Sequence, residues 1–137
     1  MSRPFTEMRP VERAAEWFAL ITCLIVGLSH VLHSRSWADV FARLHLLGTR
    51  GAFANGGLSL VPGALFVAIH PVWTGPAVVL TLFGWLLVLK GAICFLVPSV
   101  ALRGMGRAGA GKGTEFVGGG LVLLAVAGVM AYGIWAG

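Results

Sequence analysis

Charge is scarce in this sequence. Asp, Glu, Lys and Arg make up 11% of its 137 residues, only five of them acidic, while 58% are hydrophobic. A soluble domain of this size keeps much of its surface in water and needs more polar residues to cover it, which argues against a cytosolic or secreted globular fold. Cysteine is nearly missing as well. Cys23 lies near the start of one apolar run and Cys94 near the end of another, where up-and-down threading puts them in opposite leaflets. No disulfide is expected between them, and two cysteines inside a membrane say nothing about redox compartment. No hydrophilic linker is long enough to divide two domains. No Ser, His and Asp arrangement and no paired carboxylates stand at a plausible depth, and Glu16 and Glu115 both fall at the ends of apolar runs rather than in mid-membrane. Hydrolytic chemistry and carboxylate-based proton-coupled export are disfavoured accordingly.

What the sequence has is long apolar runs. Four of them, Ala14–Val31, Gly51–Ile69, Val72–Val97 and Phe116–Trp135, approach or exceed the roughly 20 residues needed to cross a bilayer. The expected fold is an all-α membrane protein, one domain over residues 1–137, with four transmembrane helices and a short interfacial amphipathic helix between spans 1 and 2. Arg3, Arg9 and Arg13 precede the first run, but Glu7, Glu12 and Glu16 are interleaved with them and no small-residue cleavage pattern follows. The run therefore reads as a retained span rather than a signal peptide. Ser99–Thr114, with Arg103, Arg107 and Lys112 set among glycines, reads as a flexible basic loop.

Positive residues in short loops are retained on the cytoplasmic side. Arg35, Arg43 and Arg50 in the first loop and Arg103, Arg107 and Lys112 in the third outweigh Arg3, Arg9 and Arg13 on the opposite face, so both termini are expected outside. The same bias, with attraction to anionic head groups, accounts for the net charge of +5 without nucleic acid as a partner. Residues 36–47 carry Trp37, Val40, Phe41, Leu44 and Leu47 on one helical face, with Ser36 as a cap, Asp39 three residues on, Gly48 as a left-handed stop and an Asp39–Arg43 pair on the other face. Such a helix suits the head-group layer. It can serve as an anchor setting the angle between two spans, or as a lipid gate or docking face.

Small residues four apart mark the second span, at Ala52 and Gly56 and at Ser59 and Gly63. The fourth has Gly118-Gly119-Gly120 and then Ala127 and Ala131. These two are expected to make the closest contacts, within the chain or between copies. Pro62 is expected to kink the second span and free a carbonyl near Leu58. Trp17, Trp73 and Trp135 fall toward one face as an aromatic belt, with Trp85 deeper.

Ionisable residues inside a membrane are costly and persist for a reason. Lys90 lies about 25 Å along the third span at 1.5 Å per residue. His30, Asn55 and Glu115 fall at a similar level on the other three spans. If all four turn inward they form a small basic pocket at the cytoplasmic leaflet, near Arg50, with His33 and His45 at its mouth. Three roles are open to Lys90: snorkelling to the interface, an ion pair with Glu115, or holding an anionic head group. His30 fits a hydrogen bond to a neighbouring helix. Glu16 and His70 sit at helix ends where they can pair, and the hairpin from His70 to Trp73 reads as structural. His30, His33 and His45 could offer imidazoles to a metal or haem, but without a clustered carboxylate or thiolate, or an opposed histidine pair, no cofactor is expected. Residues 109–114 resemble a phosphate loop only by accident, since they lack the first glycine and follow no strand.

His70, Trp73, Pro76, Leu80-Thr81, Gly84-Trp85, Lys90-Gly91 and Pro98 together resemble a signature of small bacterial four-span integral membrane proteins, over about the middle half of the chain. In that signature asparagine follows the histidine; here it is Pro71, which weakens any role for that position. The resemblance implies a bacterial inner-membrane location and adds weight to Lys90, but it brings no activity. The expected function is that of an accessory or scaffold subunit or lipid-binding protein, engaging anionic lipids and either copies of itself or a larger complex. A small oligomeric transporter or channel, with anions as the favoured cargo, and a His-ligated metal or haem protein are the alternatives.

Overall fold

Proline and glycine punctuate this chain, and the helices begin and end where they stand. The computed structural model describes residues 8–111 and 113–136, and among these it has six helices and no strand. Arg3, Glu7, Lys112 and Gly137 lie outside the described residues. Helix α1, Pro10–Leu32, opens with proline at its first position, where no backbone N–H is needed. The Glu12 carboxylate accepts the Arg9 backbone N–H at 2.8 Å and its Nε at 3.0 Å, which satisfies an otherwise orphaned donor. His33 (φ −120°, ψ 37°) breaks the chain direction, and α2, Ser34–Leu46, follows at once. It starts two residues before the expected helix, with no side-chain cap, and Asp39 and Arg43, both exposed, form no ion pair.

Gly48 is left-handed, at φ +63°, and releases the chain into α3, Thr49–Ile69, which runs unbroken through Pro62. The expected third span is six residues too long at its start. Pro71, Gly75 (φ +64°) and Pro76 hold residues 70–77 in a non-helical hairpin, and α4 is Val78–Leu96. Pro98 then acts twice. It disfavours helix at Val97 (φ −133°, ψ 64°), ending α4, and it is the first residue of α5, Pro98–Ala110. The expected basic loop is therefore largely a helix. Its glycines are not breakers here because α5 lies against α2: a Cβ on Gly109 would come within 3.0 Å of Ala42, so glycine permits the approach. Helix α6, Thr114–Ala136, completes the chain.

Four of the six, α1, α3, α4 and α6, are long and apolar enough to cross a membrane. They pack as two pairs, α1 with α6 and α3 with α4, while α2 and α5 pack together across one end. The two spans expected to make the closest contacts, α3 and α6, each belong to one of these pairs, with α4 and α1 as their partners rather than each other. The small residues work within each pair. A Cβ on Gly63 would sit 2.8 Å from the Val88 nitrogen, one on Gly91 would meet Leu60 at 2.6 Å, and one on Gly120 would meet the Gly27 carbonyl oxygen at 2.8 Å, so backbones touch where a side chain would part them. Gly118 and Gly119 face open space. The main core joins the two pairs through Ala19, Leu20, Phe66, Leu80, Ala127 and Met130. A smaller cluster of Ala38, Ala108 and Phe116, flanked by Trp37 and Phe41, seats α2 and α5.

Candidate functional site

The polar residues gather at both ends of the bundle. At the end closed by α2 and α5, Lys90 and Asn55 line one cavity of about 320 Å³, open to the outside. Helix α4 supplies Leu86, Leu89, Lys90, Ile93 and Cys94, α3 supplies Asn55, α5 supplies Val100, Ala101, Gly104 and Met105, and α2 supplies Phe41. Asn55 is buried and gives a long, weak hydrogen bond from Nδ2 to Cys94 Sγ at 3.9 Å; Ser59 Oγ donates to its carbonyl at 3.3 Å. The Lys90 ammonium stands 6.0 Å from the Phe41 ring centroid, within range of a weak cation–π attraction. No carboxylate of a described residue lies within ion-pair distance of it, and the pair with Glu115 is not formed. The result is a cation in an apolar groove.

The other residues expected at this level do not join the cavity. His30 donates from Nδ1 to the Val26 carbonyl of its own helix at 2.8 Å and stacks on Trp37 at 4.2 Å, against Phe116. The bond to a neighbouring helix is thus replaced by one within α1. Trp37 is in turn held by Ser29 Oγ at 3.0 Å. Glu115 is exposed at the start of α6, Arg50 is exposed in the first turn of α3, and His33 is exposed at the break before α2. His45 gives its Nδ1 hydrogen to the Leu102 carbonyl at 2.8 Å, tying α2 to α5. Among the described residues no three His, Cys, Asp or Glu side chains are placed to hold a metal, and Cys23 and Cys94 are both free and buried.

The opposite end carries a cluster that sequence reasoning passed over as structural. His70, at the end of α3, has no exposed surface, and Glu16 on α1 is 1% exposed. His70 Nε2 faces Glu16 Oε1 at 3.4 Å, Arg13 Nη1 reaches Glu16 Oε2 at 3.1 Å, and His70 Nδ1 lies 3.2 Å from Thr81 Oγ1 on α4. Thr81 also approaches the Val72 and His70 carbonyls, at 2.6 and 2.9 Å. The pairing of Glu16 with His70 was readable from their shared position at helix ends; their full burial was not. Trp17 and Trp135 meet edge to face at this end, with centroids 5.5 Å apart, and Trp73 projects from the hairpin, while Trp85 faces outward from α4. Comparison with family models, with curated proteins and with solved structures found no match.

Proposed function

We propose that the protein is a non-enzymatic, multi-pass protein of the bacterial inner membrane that holds an anionic lipid in the groove beneath α5. In this reading α2 and α5 lie in the head-group layer of the cytoplasmic leaflet, and the lipid phosphate sits at Lys90 with an acyl chain along Leu86, Leu89 and Ile93. The observation that carries it is the ammonium of Lys90 in an apolar groove with no carboxylate of a described residue beside it, since a charge in such surroundings calls for a partner of opposite sign. The open wall of the groove, made of exposed Leu86 and Leu89, suits a chain entering sideways.

Lipid alone does not complete the picture. No more than 33% of the most apolar stretch of any long helix is buried inside the bundle. That much uncovered apolar surface favours a bilayer around the chain and an accessory or scaffold role, with contacts to copies of itself or to a larger assembly. The anion-channel alternative needs Lys90 and His30 on one path, yet His30 does not line the Lys90 cavity and its ring is stacked on Trp37.

Native mass spectrometry of the protein extracted from phosphatidylglycerol-containing membranes tests the lipid reading. The wild type is expected to retain phosphatidylglycerol over phosphatidylcholine. Lys90→Ala removes a charge-assisted bond of about 1.5–3 kcal/mol, so retention is expected to fall about tenfold or more. Equal retention by the variant would sink the assignment.

A further inference from the structure

Glu16 and His70 are the most deeply buried ionisable pair among the described residues, and the lipid reading does not use them. They come from different helix pairs, Glu16 from α1 and His70 from the hairpin joining α3 and α4. Their contact crosses the seam between the pairs, where Phe18 of α1 also packs against Phe66 of α3 with ring centroids 6.0 Å apart.

Thr81 decides what the imidazole can do. Its hydroxyl has one hydrogen, and the 2.6 Å approach to the Val72 carbonyl oxygen demands it, because two oxygens at that distance repel without one between them. Thr81 Oγ1 therefore accepts at its lone pair, and the His70 nitrogen beside it, Nδ1, is the donor. In a neutral imidazole that leaves a bare lone pair on Nε2, aimed at a carboxylate oxygen 3.4 Å away, with both side chains covered by protein. The contact is attractive only if one further proton lies between Nε2 and Oε1, carried by His70 as imidazolium or by Glu16 as carboxylic acid. Among the described residues, the neighbours of the site are these. From α1 come Arg13, on the second Glu16 oxygen, and Glu12, already engaged with Arg9. From α4 comes the neutral Thr81, and the ionisable residue of α6 nearest this end, Tyr132, is exposed.

The geometry points to a proton-binding site: one proton shared by Glu16 and His70 clasps α1 to the α3–α4 hairpin, and its loss opens the seam at the end bearing Trp17, Trp73 and Trp135. Loading forms the Nε2–H–Oε1 bridge and adds one positive charge to the site. Unloading returns the proton to water and sets a lone pair against the carboxylate. The clasp is thus held while the proton is bound and released when it leaves.

The test uses the full chain in phosphatidylcholine nanodiscs, with His30, His33 and His45 replaced by Gln so that His70 is the sole histidine. Nitrogen-15 NMR of the ring is followed against pH, alongside hydrogen exchange of backbone amides 70–78. A bridging or doubly protonated ring at low pH that becomes singly protonated at Nδ1 at high pH is expected, with amide exchange, corrected for intrinsic rates, rising at least tenfold over the same interval. In Glu16→Gln the exchange step is expected to vanish. A neutral ring protonated at Nε2 throughout would overturn the proposal, as would titration with flat exchange or a step that persists in Glu16→Gln. Should Glu16→Gln fail to fold, the sole-histidine chain still decides on the ring's protonation and on whether exchange follows it.

Discussion

Thr81 carries more structure than its size suggests, since one hydroxyl closes the α3–α4 hairpin by giving its hydrogen to the Val72 carbonyl and accepting from the His70 imidazole. Thr81→Val keeps the shape and strands those groups in a dry site, where an unmet buried partner costs about 1–3 kcal/mol. A matching fall in the thermal unfolding midpoint in detergent is expected, with Thr81→Ser recovering most of it; equal midpoints for all three proteins would contradict this account. His30 offers a contrast. Its ring is spent on Val26 and Trp37, so His30→Ala is expected to leave phosphatidylglycerol retention near wild type in the measurement that Lys90→Ala fails.

At the scale of elements, glycines decide which helices become partners. Gly91 admits the backbone of Leu60, and nothing larger fits, so Gly91→Leu is expected to part α3 from α4 at a cost of about 1–3 kcal/mol or more. Gly57 lies on the same α3 helix but faces open space, and Gly57→Ala is expected to raise stability by about 0.5–1 kcal/mol through its helix preference alone. Denaturation of the two variants side by side, in one detergent, checks both signs. Helix α5 shows the same logic reversed. Its glycines lower its intrinsic helix preference, yet docking on α2 through Gly106 against His45 and Gly109 against Ala42 overrides that.

For the whole molecule, the arginines of α2 and α5 lie at one end, and the Glu16–His70 clasp at the other. The proposed orientation places the basic end in the cytoplasm. A C-terminal alkaline phosphatase fusion is expected to be active and a C-terminal green fluorescent protein fusion dark. Changing Arg35, Arg43 and Arg50 together to Glu is expected to shift the population toward the inverted topology. Fluorescent C-terminal fusions of the wild-type chain would reverse the assignment, and would put the lipid groove in the outer leaflet.

The amino-acid sequence by itself determined how many long helices form and where along each a polar residue falls, because hydropathy and proline act locally and depth follows from a fixed rise per residue. His30, Asn55, Lys90 and Glu115 do all lie toward the α2–α5 end. Which way each one turns was decided only by the tertiary structure. Direction around a helix axis depends on which neighbour packs there, and in helices apolar on every side no stripe marks the inner face. Contacts of a few ångströms at Gly63, Gly91 and Gly120 made that choice. They paired α3 with α4 and α1 with α6, left Glu115 outside, turned His30 onto Trp37, and sealed His70 against Glu16.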